Sequence, residues 1–401
     1  MTDLVTPDIL HIESCNFIDK PAGGQLNFSR QLMKALGNRL ALVGWASAPS
    51  DPIGCWFNKE IDGTVYRYFA ICGDHQTDKK PLIPKRLATW FQIKKYQKRI
   101  LSLGIPNILV REHAVIMALK TIPAHNLCFY FPGTEAPLSI SRYSWAKRFS
   151  GIFDHLFFMA LARKANCILA AADDQAIKEL KRRASETLRN KAILPFPTRV
   201  DTEIFHPADK MEMRRKLSLP ENKIIAVTTG RIHWAKGWRF LLDSFRLYVT
   251  RFPEAVFIYV GDGAERKQLE QYVIDLGLQE KVIAVGYQNS MKIASYLQAS
   301  DLFLMGSWKE GWSTVLLEAL ACQIPIVTTR FSSADTIVQS GINGFVVERE
   351  PVEFSTAMEK ALNLPDVASY ADMVISRYSL GNLSKDLLQV WPLARKTDAE
   401  L

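Results

Sequence analysis

Residues 301–328 read as a strand, a glycine-broken loop, a helix and a second strand, and this order restricts the fold more than any other stretch. Asp301-Leu302-Phe303-Leu304-Met305 is a short apolar run. Leu316, Leu317, Leu320 and Ala321 make the following stretch an apolar helix, and Ser313 stands where a residue caps a helix start. Gln323-Ile324-Pro325-Ile326-Val327-Thr328-Thr329 then reads as a buried parallel strand. Two glutamates, Glu310 and Glu318, flank the turn, one in the loop and one inside the helix. Glu318 shares a helical face with Thr314, four residues earlier. Both carboxylates thus converge beyond the carboxyl end of a strand, where open α/β sheets bind ligands.

Most glutamates at such a spacing are solvated surface residues. The apolar helix around Glu318 sets this pair apart, because an unpaired carboxylate is costly there. A carboxylate accepts hydroxyl donors, which suits a polyol, and the N–H groups of Gly311, Trp312 and Ser313 at a helix start suit phosphate. A crevice offering both is shaped for a sugar nucleotide.

The 401 residues are enough for two domains, and 48% hydrophobic with 23% charged residues describes a globular chain. No apolar run reaches about 18 residues, and the N-terminus lacks a basic and apolar leader, so neither a spanning helix nor a secretory signal is expected. Six cysteines at 15, 55, 72, 128, 167 and 322 have no paired metal-ligand spacing. The apolar neighbours of several suggest buried thiols in a reducing compartment, the cytoplasm, with no metal site. Charge is uneven: residues 1–195 hold 27 Lys and Arg against 16 Asp and Glu, whereas residues 196–401 hold 23 against 25. A first half at net +11 points to an anionic partner. No nucleic-acid motif is present, which leaves an anionic membrane surface or a phosphorylated acceptor.

Strand patterns alternate with helical ones throughout. They fall at Ile9–Ile12, Leu40–Trp45, Val65–Phe69, Ile108–Arg111, Leu127–Phe131 and Cys167–Ala170. They return at Ile224–Thr229, Val256–Val260, Val282–Val285, Leu302–Met305, Ile324–Thr328 and Phe345–Val347. The prolines of residues 194–201 favour an extended linker. The expected division is 1–195, 196–380 and a terminal segment 381–401 with a helix over Leu383–Trp391. Arg231 and Lys236 follow a strand and offer a bidentate fork and a point charge to a diphosphate; solvated loop cations are the plainer alternative. Gly23 and Gly24 follow the first strand, and serve either a tight turn or a close approach to ligand. His113 ends a strand pattern, as a structural histidine or a hydroxyl partner. The tract 84–101 and residues 142–158 are basic and aromatic at helical spacing, and fit either core-facing helices with solvated cations or an anionic lipid surface.

The segment 309–321 resembles the signature of the retaining GT-B glycosyltransferases of glycosyltransferase family 4, the glycosyl transferases group 1. Gly230-Arg231-Ile232-His233-Trp234-Ala235-Lys236-Gly237 is similar to that family's phosphate loop. Val260-Gly261-Asp262-Gly263, Val285-Gly286-Tyr287 and Gly341-Ile342-Asn343-Gly344-Phe345-Val346-Val347 are similar to further blocks, in the family's order. Pro21-Ala22-Gly23-Gly24-Gln25 resembles its N-terminal glycine loop. The resemblance implies an α/β GT-B fold, with two Rossmann-like doubly wound domains facing across a cleft and a C-terminal helix returning to the first. It implies transfer of a sugar from a nucleoside diphosphate sugar to a glycan or lipid-linked acceptor, with configuration retained and no cofactor or metal. Arg231 and Lys236 would hold the diphosphate, Glu310 the sugar and Glu318 the ribose. Where the family usually carries a further histidine, Phe131-Pro132-Gly133-Thr134-Glu135 has none, so Glu135 or Thr134 would take its contact. A sugar-nucleotide epimerase or phosphorylase of the same fold, or a non-catalytic binding relative, are the alternatives.

Overall fold

The computed structural model describes residues 6–19, 24–73, 85–120, 126–131, 148–171, 174–308, 310–331 and 333–394. The chain divides into two compact units, Met1–Pro197 together with Gly381–Leu401, and Thr198–Leu380.

The first unit contains β1 (Ile9–Ile12), α1 (Gly24–Leu36), β2 (Leu40–Trp45), β3 (Trp56–Ile61), β4 (Thr64–Cys72), α2 (Lys85–Ile100), β5 (Asn107–Val110) and α3 (His113–Ala118). It continues with β6 (Asn126–Phe131), α4 (Ser150–Lys164), β7 (Cys167–Ala170), α5 (Asp174–Ala184) and β8 (Leu194–Pro195). Among the described residues the sheet order is β3-β4-β2-β1-β5-β6-β7-β8. Only β3 runs antiparallel there, paired Ile61 to Thr64 through Asp62 and Gly63, whose φ values are 48° and 76°. Two successive positive φ values make the hairpin turn whose twist matches the strands, and Asp-Gly is its preferred sequence. This strand was not expected, although its turn signal stands in the sequence.

The second unit contains α6 (Lys210–Lys216), β9 (Ile225–Thr229), α7 (Trp238–Arg251), β10 (Val256–Val260), α8 (Arg266–Asp275), β11 (Val282–Gly286), α9 (Ser290–Gln298) and β12 (Leu302–Met305). It continues with α10 (Thr314–Ala321), β13 (Ile326–Thr329), α11 (Ala334–Ile337), β14 (Gly344–Val347), α12 (Pro351–Ala361) and α13 (Val367–Tyr378). All its described strands are parallel, in the order β11-β10-β9-β12-β13-β14. Alternate strand residues enter opposite cores. Val227, Ile258 and Phe303 pack with Leu316 and Leu320, while Ala226, Phe257 and Leu304 pack with Trp238, Leu241 and Met358. Helices on both faces are why these strands read as continuous apolar runs. The strand expected from Ile324 begins at Ile326, since Pro325 has no N–H for the ladder.

Pro195 of the linker occupies a sheet edge. Leu194–Pro195 pairs with β7, and Phe196 N–H donates to Ala170 O at 2.7 Å. The two ends of the second unit are bonded to each other: Val200 N–H donates to Tyr378 O at 2.9 Å, and Leu380 N–H to Val200 O at 2.8 Å. After them α14 (Leu383–Val390) belongs to the first unit. Asn107 holds the backbone of Ala394 through a 3.0 Å donated and a 2.8 Å accepted bond, and Asn126 donates to Pro392 O at 2.9 Å.

Candidate active site

In the second unit β9 and β12 are neighbours, but the chain leaves β9 toward β10 on one side and returns to β12 on the other. The two loops leaving their carboxyl ends therefore diverge around a crevice, the place where doubly wound sheets bind ligands. The first is the loop of Arg231 and Lys236, the second that of Glu310.

Both loops are shaped by glycines at close backbone approaches. Gly237 has φ 67°, and a side chain there would strike the Gly306 carbonyl that follows β12. Gly263 abuts the Ile232 backbone in the same way. Trp308 N–H donates to Ala235 O at 2.9 Å, joining the loops directly. Arg349, just past β14, donates to Gly306 O at 2.8 Å and Ser307 O at 2.6 Å, and its guanidinium lies 3.9 Å from the Trp308 ring. Burial holds the Arg349 pKa below its usual range.

Lys236 and Glu310 meet as an ion pair on Glu310 Oε1, which also accepts from Ser307 Oγ at 2.9 Å. The diphosphate cation and the sugar carboxylate of the sequence reading are thus one contact here. Arg231 is exposed, and its own carbonyl accepts from Tyr259 Oη at 3.3 Å. Gly311 and Trp312 are half-buried in the turn, with the Trp312 ring 5.1 Å from Tyr378.

Ser313 stands at the N-cap of α10, but its hydroxyl does not cap the helix; it lies 3.4 Å from Met305 Sδ. This corrects the expected capping role. The helix-start N–H groups consequently gain no partner from that side chain, which suits an anion. Thr314 shares the face of Glu318, yet its Oγ1 lies 2.8 Å from Thr198 Oγ1, so its hydroxyl is held by the linker.

Glu318 keeps some exposed area but is surrounded by protein atoms, and among the described residues no side chain bonds or pairs with its carboxylate. Burial pushes its pKa up to about 7. A neutral carboxyl at the edge of ionisation would gain from hydroxyl donors that stabilise its charged form.

In the first unit β1 and β5 are neighbours at a second such divergence. Gly24 opens α1 after β1, and His113 opens α3 after β5. Gly23, Thr134 and Glu135 lie outside the described residues, as do Lys309 and residues 142–147. His113 is only 7% exposed, and its ring packs 4.5 Å from Phe157 and 5.7 Å from Phe129. That is an aromatic packing environment rather than an open strand end.

Sequence reading passed over Ser307 and Arg349, which shape the Glu310 loop. An arginine two residues past an apolar strand was the available signal for the second. It also passed over a buried polar cluster in the first unit. His11 Nε2 is 3.0 Å from Ser29 Oγ and its Nδ1 3.2 Å from Leu109 O, and burial lowers its pKa to about 4. Nearby, Phe28 and Tyr130 stack at 4.0 Å with the Arg111 guanidinium 5.5 Å from the Phe28 ring. The residues of this cluster are far apart in the chain, and only strand pairing assembles them.

By fold this is an α/β protein of the GT-B class. The structure of sucrose-phosphate synthase from Thermosynechococcus elongatus superposes with a TM-score of 0.74 at 18% identity, covering 96% of this chain and 98% of that one. By family, residues 209–376 match the model for glycosyl transferases group 1. The N-acetyl-alpha-D-glucosaminyl L-malate synthase of Bacillus anthracis is 29% identical over 159 residues, 40% of this chain and 41% of that protein. The UDP-Gal:alpha-D-GlcNAc-diphosphoundecaprenol alpha-1,3-galactosyltransferase of Escherichia coli is 28% identical over 180 residues, 42% of this chain and 46% of that one. The chain thus spans less than half the length of these curated relatives.

Proposed function

We propose that this chain is a retaining glycosyltransferase that moves a sugar from a nucleoside diphosphate sugar to a hydroxyl of a glycan or lipid-linked acceptor. The observation that carries the reading is the joining of the β9 and β12 loops, which pairs Lys236 with Glu310 at a sheet divergence whose first loop also carries Arg231 and whose adjoining helix carries Glu318. Arg231 and Lys236 neutralise the departing diphosphate, the electrostatic work that dominates such reactions. The N–H groups of Gly311, Trp312 and Ser313 hold phosphate or sugar. Glu310 accepts from sugar hydroxyls, with Ser307 fixing one of its oxygens. Glu318 accepts from the ribose. The acceptor hydroxyl attacks the anomeric carbon on the face the diphosphate leaves, a phosphate oxygen takes its proton, and configuration is kept.

Two cations and a helix start supply the charge that a divalent ion would otherwise supply, so no Mg²⁺ or Mn²⁺ is obligatory on this reading. The relative from Escherichia coli takes, by its name, UDP-Gal and a diphosphoundecaprenol-linked sugar; an acceptor of that chemistry, in cytoplasmic synthesis of a surface polysaccharide or glycoconjugate, suits the basic first half.

The test is incubation with a panel of sugar nucleotides, with and without polyprenyl-diphosphate sugars and free glycans, followed by anomeric assignment of the product. Acceptor-dependent release of nucleoside diphosphate with a retained linkage, undiminished by EDTA, is expected. An inverted linkage, or sugar epimerisation without acceptor, overturns the proposal.

A further inference from the structure

The first unit carries a helix layer whose outer surface the donor chemistry does not use. Ile93 and Ile100 of α2, Val115 and Ile116 of α3, and Phe157, Phe158 and Leu161 of α4 enter one core with Leu10, Ile12, Val43 and Val110, so all three helices cover the same face of the sheet. Their opposite surfaces point away from it. On α4 that surface is a ridge spaced at helical intervals: Phe149 just ahead of the helix, Ile152 and Leu156, which are 54%, 63% and 50% exposed. On α2 Leu87 and Phe91, 43% and 55% exposed, fall four residues apart and continue into exposed Lys94, Lys95, Lys98 and Arg99.

Monomeric domains scatter apolar residues singly, and a ridge of this kind beside cations marks a contact surface. Charge decides the kind of partner. The three helices contain one acidic residue, Asp154, which is buried and pairs with Arg183 at 3.4 Å. Exposed Arg148 and Arg163 bracket the ridge. Lys94 lies 5.0 Å over the Trp90 ring and Lys95 4.9 Å over Tyr96, so the cationic stems run along aromatic faces. A nucleic-acid surface would want cations with polar donors, and a protein groove would want some acid to set register. Bulky aliphatic tips among cations, with no exposed acid on these three helices, match an interface of anionic headgroups over hydrocarbon.

We propose that the outward face of α2 and α4 is a docking surface for an anionic lipid bilayer, with Lys94, Lys95, Lys98 and Arg99 drawn to headgroups and Phe149, Ile152 and Leu156 entering the acyl boundary. The docking is independent of the sugar transfer proposed above.

The experiment is flotation of the full chain with vesicles of phosphatidylglycerol mixed into phosphatidylcholine and with phosphatidylcholine alone. Binding to the anionic vesicles only is expected, lost at about 1 M salt, where the Debye length is about 3 Å. Each headgroup-facing cation contributes about fivefold, so Lys94→Glu, Lys95→Glu and Lys98→Glu together should lower partitioning by at least about 100-fold. Phe149→Ser, Ile152→Ser and Leu156→Ser together should lower it by about 30-fold or more at unchanged salt dependence. Circular dichroism and donor affinity by calorimetry, unchanged in both variants, separate a failure of docking from a failure of the donor reading. Equal binding to both vesicle types, binding to neither, or wild-type partitioning of the serine variant overturns the proposal. So does a serine variant that alters only self-association in light scattering, which would make the ridge a contact between copies.

Discussion

The two units share a doubly wound plan, yet treat charge at the divergence of their sheets in opposite ways. In the second unit the loops past β9 and β12 hold Arg231 exposed and Lys236 and Glu310 only partly covered. In the first, the corresponding region buries Glu13 and sets the buried Arg111 over the Phe28 and Tyr130 rings. Partly covered charge can be taken over by a ligand at little cost, whereas fully buried charge is committed to the fold. The difference teaches that a shared topology places a crevice, and that the degree of burial there decides whether its polar groups serve a ligand or the core.

The sharpest way to break this contrast is Glu310→Ala. If the carboxylate meets the transferred sugar, turnover should fall by about 100- to 1000-fold while nucleoside diphosphate affinity holds. Wild-type turnover, measured by nucleotide release, would remove Glu310 from the site. Next come Arg231→Ala and Lys236→Ala. Each deletes a charge-assisted contact of about 1.5–3 kcal/mol, so calorimetry should find the nucleoside diphosphate Kd raised by about 10- to 150-fold. Unchanged affinity in both would return them to solvated loop cations.

The first unit should answer differently. Arg111→Met should cost about 2 kcal/mol of stability in denaturant unfolding, from lost cation–ring and polar contacts, and leave donor affinity alone. A variant of wild-type stability that binds acceptor more weakly would mean this buried cluster reaches a ligand after all, and the contrast would fail.

The smallest effect concerns Glu318. Its pKa stands near 7 in the folded chain against an ordinary 4.5, so the fold favours the neutral form. That contribution to stability is complete below 4.5 and is lost as pH rises through about 7. The ligand-free protein should lose a few degrees of Tm over that window, and Glu318→Gln should flatten the loss. Nucleotide affinity should move the other way, rising severalfold with pH as ribose hydroxyls stabilise the ionised form. Affinity insensitive to pH across 7, or a response that survives Glu318→Gln, would separate this residue from the ribose.

Much of the second unit was legible because its site is nearly local: Arg231 to Gly237 and Glu310 to Glu318 are contiguous blocks, and its strands are apolar throughout. The hidden parts depend on distant partners. Ser313 looked like a cap because caps are serines, but Met305 took its hydroxyl. Arg349 works on carbonyls 42 and 43 residues away. In the first unit, β3 escaped notice because Trp56-Phe57-Asn58-Lys59-Glu60-Ile61 is a half-exposed edge strand without the apolar run that marked the others. His113 stays open in the sequence between a structural histidine and a hydroxyl partner, because nothing local announces that Phe129 and Phe157 will pack against it.

The hydrogen bonds between Val200 and residues 378 and 380 bear on the order of folding. To the first unit, the second is a loop of about 180 residues inserted between β8 and α14. Bringing the ends of an unfolded loop of that length together would cost about 4 to 5 kcal/mol of chain entropy. Once residues 198–380 have folded, Val200 and Ser379 are already side by side, and that cost has been met within the second unit. The Asn107 and Asn126 clasp on residues 392–394 then closes a short circuit rather than a long one. A nascent chain can therefore complete its first unit after its second, with residues 383–394, although that unit was begun first.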